Sequence, residues 1–215
     1  MFGGRRRRAR GALKAFYDIP QPKAGASLST LPLLAVDVET TGLNPREHQM
    51  VSIGWVPING HIIDLSGAGY VVIHGNEGFT VGSSAVIHQL TDDEIAAGIG
   101  MEEALTRLLQ ALEGRAMLAH FAAIEKGFLS AACQEHFGAP LEVPIVDTFA
   151  LERRHMVRMS TYPRGEDLRL ARVRQRYGLP AYSNHQALTD ALACAEVYLV
   201  QVLKGSVETL KDVME

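Results

Sequence analysis

Only two cysteines occur in the 215 residues, Cys133 and Cys194. Both lie in apolar, helical-looking segments and read as buried thiols, which excludes a disulfide-stapled scaffold and a zinc-type Cys/His set. No apolar run approaches the roughly 18 residues that a bilayer-spanning helix needs. The N-terminus is basic, but no apolar stretch of about 7–15 residues follows it, which argues against a secretory signal. The cytoplasm is the expected compartment, with no membrane contact. A glycine-rich loop for cradling phosphate, a nucleophilic triad and an internal repeat are all missing as well.

What remains is 47% apolar and 21% charged, the balance of a soluble globular protein. The length suits one compact domain and a tail. The net charge of −3 hides an asymmetry. Residues 1–30 hold seven Lys/Arg and one acid, and residues 31–215 hold fourteen and twenty-three. Residues 1–30 therefore read as a flexible basic arm or linker, either solvated or touching an anionic partner, ahead of a domain spanning 31–215.

Order is expected from Leu33 to Val38, an apolar run typical of a buried strand. A second run, Met50 to Ile58, meets the hairpin signal Asn59-Gly60, and a third extends from His61 to about His74. The period then changes. Helices are expected over Met101–Leu112, Ala122–Phe137, from Thr148, over Leu168–Tyr177 and over Ala187–Leu203, with short strands at Ala116–Ala119 and Val143–Val146. Strands first, then alternating helices and strands, indicate an α/β fold with a mixed sheet flanked by helices.

Three segments carry chemistry. Asp37 and Glu39 are two apart on a strand and leave the same face, a costly pairing at a buried strand end unless a cation offsets it. In Ala119-His120-Phe121-Ala122-Ala123-Ile124-Glu125, the glutamate shares a helical face with Phe128, Leu129 and Ala132, so it needs either a partner or a route to solvent. In His185-Gln186-Ala187-Leu188-Thr189-Asp190, the aspartate opens a helix of small and apolar residues. The other acid of that helix, Glu196, is expected to reach solvent.

The order and context of these segments resemble the DEDDh 3′→5′ exonucleases, a family that includes the proofreading epsilon subunit of bacterial DNA polymerase III, ribonuclease T and oligoribonuclease. The match runs through Asp37-Val38-Glu39-Thr40-Thr41-Gly42-Leu43, His120 to Leu129, and His185 to Ala191, and covers roughly residues 33–203. The family's usual Asn is Phe121 here, and its usual second-motif Asp is Glu125. His185 stands five residues before Asp190, as in the His branch. Gln186 excludes the Tyr branch.

The resemblance implies a ribonuclease H-like, mixed five-stranded sheet. It also implies two Mg²⁺ or Mn²⁺ ions held by Asp37, Glu39, Glu125 and Asp190, with His185 as general base. Thr40 and Leu43 would meet the terminal nucleotide at the 3′ end of a single strand, DNA ahead of RNA. His88 resembles a family segment near that nucleotide but reads better as structural. Eight arginines between Arg153 and Arg176 read either as a track for a phosphate backbone or as a solvated face. The short stretch after the last long helix suggests a free-standing enzyme, or one joined to a polymerase or other partner through the arm. The alternative is a catalytically weak nucleic-acid-binding or polymerase-associated module with the same fold.

Overall fold

The computed structural model describes residues 6–74, 92–183 and 185–214. β1 (Pro32–Thr40) and β2 (Met50–Asn59) pair antiparallel from end to end, with Asp37 opposite Gly54. Both faces of these strands are covered, which is why they read as near-continuous apolar runs. Gly60 closes their register at φ +62°, a conformation that glycine adopts freely.

The third expected strand is broken in two. β3 (Ile62–Ile63) and β4 (Gly69–Val72) both pair with β2, separated by a 3₁₀ turn at Leu65–Gly67. The break has a cause in Pro57. Its carbonyl accepts the Asp64 N–H at 2.9 Å, but it has no N–H to return, so the ladder cannot continue there. β5 (Ala116–Ala119) then adds parallel to β1, and β6 (Ile145–Asp147) parallel to β5. Among the described residues, six segments thus fill the five places of a mixed sheet.

The helices are α1 (Gly11–Asp18), α2 (Asp92–Ala96), α3 (Met101–Leu112), α4 (Ala123–Phe137), α5 (Thr148–Arg158), α6 (Leu170–Arg176), α7 (Ala187–Lys204) and α8 (Leu210–Val213). Alternation along β1 sends Leu34, Val36 and Val38 into a core shared with α1, α3 and α4. Leu33 and Ala35 point the other way, into a core built on α7. Helices therefore cover both faces, and no helix among the described residues is long and apolar enough to cross a membrane.

The expected flexible arm is corrected from residue 6 onward. Leu13 and Phe16 of α1 are fully buried, and the Arg10 N–H donates to the Phe137 carbonyl. Leu13, Phe16 and Tyr17 are spaced as one helical face, a signal masked by the surrounding arginines. Leu28 is buried too, and its N–H donates to the Glu208 carbonyl at 2.8 Å. At the far edge of the sheet Met214 bridges Val146 and covers the exposed side of β6.

Candidate active site

β1, β5 and β6 run parallel, and the candidate residues gather at their carboxyl ends, where open α/β sheets form their crevices. Asp37 and Glu39 continue the Leu33–Ala35 face of β1 and so look toward α7. That helix comes close because of Gly54. A Cβ on Gly54 would sit 2.3 Å from the Ala187 carbonyl carbon and the Leu188 nitrogen, so only glycine lets the first turn of α7 rest on the sheet. Asp190 lies in that turn. One carboxylate oxygen from each of Asp37, Glu39 and Asp190 falls within 4.8 Å of the others.

Such crowding favours the protonated form of the carboxyls in the absence of a cation. Burial, with repulsion from Glu125, Asp190 and Glu39, keeps Asp37 well above the usual carboxylate range. Burial and then Asp190 push Glu39 up to about 7 against the pull of His185. Asp190 is also raised by burial, although the His185 N–H works the other way. An all-oxygen donor set whose ionisation is disfavoured without a counter-charge suits a hard divalent cation.

Glu125 enters from the opposite layer. It sits in the first turn of α4, directly after β5, and is 3% exposed. Its Oε2 has no hydrogen-bond partner among the described residues. Burial pushes its carboxyl up to about 8, with Asp147 and Glu39 adding repulsion against the lowering effect of backbone hydrogen bonds. Glu125 is outside the tight trio but within its field, since it is the strongest charged influence on Asp37. An orphaned buried carboxylate oxygen beside three clustered acids fits a bound cation.

The turn feeding α4 is held by Asp147, at the end of β6. Its carboxylate accepts the N–H groups of Phe121 at 2.9 Å, Ala122 at 3.2 Å and Phe149 at 2.9 Å. Phe121 is thereby kept at φ +68°, a left-handed position where Asn is the easier residue. Its ring is exposed and lies 5.0 Å from that of Phe149.

His185 is exposed, also at φ +68°, and its N–H donates to Asp190 Oδ2 at 2.8 Å. The base candidate and the acid are therefore joined through backbone. His120 differs in kind. Its Nε2 is 2.8 Å from the Leu168 carbonyl and its Nδ1 is 2.8 Å from Thr148 Oγ1, so both ring nitrogens are occupied. Burial lowers its pKa, which makes it a neutral structural histidine. Asp37, His120, Phe121, Phe149, Arg169, His185 and Asp190 line one cleft of about 740 Å³.

The family model described as "Exonuclease", with RNase T as its namesake, matches residues 34–198. The chain belongs to this exonuclease family. The exonuclease domain is 28% identical over 200 residues to a PolC-type DNA polymerase III of Thermotoga petrophila, covering 88% of this chain and 14% of that one. It is 26% identical over 170 residues to the DNA polymerase III epsilon subunit of Treponema pallidum, covering 78% and 75%. The chain thus spans about a seventh of the PolC-type relative and most of the epsilon subunit. In structure it resembles the nuclease domain of 3′hExo, a DEDDh family member bound to rAMP. The TM-score is 0.67 at 12% identity, with 82% of this chain and 93% of that one covered. The fold is ribonuclease H-like, as the motifs implied.

Other expectations distribute unevenly over the exonuclease domain. Thr40 ends β1, with its Oγ1 donating to the Gly42 carbonyl at 2.8 Å, and Leu43 stands exposed beyond it. His88 lies outside the described residues. Two of the eight arginines are tied into ion pairs with helix carboxylates, and Arg174 alone of the eight is buried. Arg176 pairs with the fully buried Glu152 at 2.9 Å, and Arg174 with Glu196 at 2.6 Å. Glu196 keeps a quarter of its side chain exposed, as expected, while also pairing with Arg174. Gly54, Asp147 and Arg174 were not legible as site residues. A glycine inside an apolar strand was the one available hint.

Proposed function

We propose that this chain is a metal-dependent 3′→5′ exonuclease that releases nucleoside 5′-monophosphates from single-stranded nucleic acid, DNA in preference to RNA. The observation that carries the reading is the trio Asp37, Glu39 and Asp190, gathered within 4.8 Å with the unpartnered Oε2 of Glu125 beside it in an exonuclease-family domain. Asp37, Glu39 and Asp190 would hold one cation, and Asp37 and Glu125 a second. When bound, two Mg²⁺ or Mn²⁺ ions supply Lewis acidity toward a phosphodiester and offset the charge that develops on it.

The chain's own groups do the rest. His185, exposed over the cleft, accepts a proton from the attacking water, the usual task of a histidine base. The backbone after Glu39, at Thr40, meets the terminal 3′-hydroxyl, and exposed Leu43 packs against its base. The Phe121–Phe149 pair gives a second base an apolar face, and Arg169 in the same cleft meets a phosphate. The names of the relatives, DNA polymerase III proteins, favour DNA, and they favour a polymerase as protein partner in the cytoplasm. Arg6, Arg7 and Arg8 remain on the surface as a contact point.

Cleavage of 3′- and 5′-labelled single-stranded DNA and RNA in Mn²⁺ tests the reading. Release of labelled 5′-monophosphate from the 3′ end, faster on DNA, is expected. Internal cuts or release from the 5′ end would overturn it.

A further inference from the structure

The loop that brings His185 to the cleft is tied down by a side chain for which the chemistry above has no use. Arg174, on α6, is 3% exposed. Its Nε and Nη2 donate to the Pro180 carbonyl at 3.3 and 2.8 Å. Its Nη1 donates to the Ala193 carbonyl at 3.0 Å and to Glu196 Oε2 at 2.6 Å. The guanidinium carbon lies 4.2 Å from the centre of the Tyr182 ring, and the Tyr182 hydroxyl donates to Glu196 Oε1 at 3.0 Å. Arg174, Tyr182 and Glu196 thus form a closed ring of contacts.

Both ends of that ring lead to the site. Pro180 and Tyr182 root the loop running to His185, and three residues cannot span more than about 10 Å, so fixing Tyr182 limits where His185 can be. Ala193 and Glu196 lie about one and two turns beyond Asp190 on α7. His185 in turn donates its N–H to Asp190 from a left-handed backbone position, which holds only where the surroundings impose it. A buried ion pair adds little net stability, because desolvating two charges offsets most of their attraction. A planar fork that binds a loop carbonyl, a helix carbonyl and a carboxylate together adds orientation instead.

We propose that Arg174 is a positioning residue: with Tyr182 and Glu196 it locks the His185 loop onto the helix that carries Asp190. The proposal rests on the exonuclease reading for its kinetic consequence but not for its structural one. Lysine at position 174 keeps the charge opposite Glu196 and loses the fork.

The test uses the full chain, single-turnover cleavage of single-stranded DNA in Mn²⁺, and hydrogen exchange of the metal-free protein. Arg174→Lys should lower the maximal rate about 10–100-fold with substrate affinity within about threefold, and should add nothing in a His185→Ala background, because the two act as one unit. Exchange should quicken across residues 179–186 and stay unchanged in α3. Should Arg174→Lys fail to fold, Tyr182→Leu removes the ring from a partly exposed position. It carries the same expectations with a loss of about 3–10-fold. Equal losses in both backgrounds, or unchanged exchange of the loop, would overturn the proposal. A wild type that does not cleave sinks the exonuclease reading, while the exchange comparison still decides whether Arg174 holds the loop.

Discussion

Gly54 stands opposite Asp37 in the β1–β2 ladder, and the space its side chain would take is filled by the Ala187–Leu188 peptide of α7. The acidic trio exists because a strand gives up one Cβ. Gly54→Ala forces backbone against backbone, which no rotamer can relieve. Overpacking of this kind costs about 1–3 kcal/mol, or a melting temperature lower by roughly 2–12 °C. The added stabilisation by Mn²⁺ should shrink as well, because Asp190 is pushed away. A variant with unchanged melting and unchanged response to Mn²⁺ would refute the close approach.

The raised carboxyls make a signed prediction for the metal-free protein. Glu39 and Glu125 move from ordinary values of 4.5 to about 7 and about 8 on folding, so the native state binds more protons than the unfolded one between those limits. Stability contributed by their protonated forms is full below about pH 4.5 and falls as pH rises through 7 and 8. Thermal melts in chelator should therefore decline from pH 5 to pH 8, and Glu39→Gln should flatten the decline. Saturating Mn²⁺ should abolish it, since a cation favours the ionised acids. A metal-free melting temperature that rises over this range would contradict the arrangement.

Glu125 separates an enzyme from a binding relic of the same fold. Glu125→Gln removes charge at constant shape and should slow cleavage by about 10²-fold or more, near 2.7 kcal/mol of transition-state stabilisation. Glu125→Asp should retain more activity than Gln because it keeps a carboxylate. Kinetics of the two variants in Mn²⁺ decide the matter. A Gln variant as fast as wild type removes Glu125 from the site.

The N-terminal segment gives a stability prediction in place of the expected flexible arm. Phe16 is fully buried against the α3–α4 layer. Phe16→Ala should cost about 3–5 kcal/mol, lowering the melting temperature by roughly 6–20 °C. Arg7→Ala, on the surface, should leave it in place. Equal melting of wild type and Phe16→Ala would return the segment to a loose tail.

These results show which features a sequence exposes. Asp37, Glu39 and Asp190 were legible because charged residues inside apolar runs stand out at strand and helix spacing. The order of strands and helices followed from the change of period, and α3 matched its expected bounds. The split between β3 and β4 was hidden, because it depends on Pro57 in a neighbouring strand. Asp147 was hidden for a similar reason. It looks like an ordinary strand end, and its three N–H partners come from two separate turns. Arg174 sat among seven other arginines, and only its burial distinguishes it. Pairings across the chain leave no periodicity behind.

The most direct measurement is the release of nucleoside 5′-monophosphate from 3′-labelled single-stranded DNA, by wild type and by Asp37→Asn, with Mn²⁺ and with excess chelator. Asp37 lies in the trio and within reach of Glu125's charge, so it is the residue on which both proposed cation positions depend. Cleavage by wild type in Mn²⁺ alone, with none above background for Asp37→Asn, is the expected result. Turnover that persists in chelator, or an Asp37→Asn variant keeping more than about a tenth of the wild-type rate, a loss under 1.4 kcal/mol, would contradict a metal-dependent acidic centre.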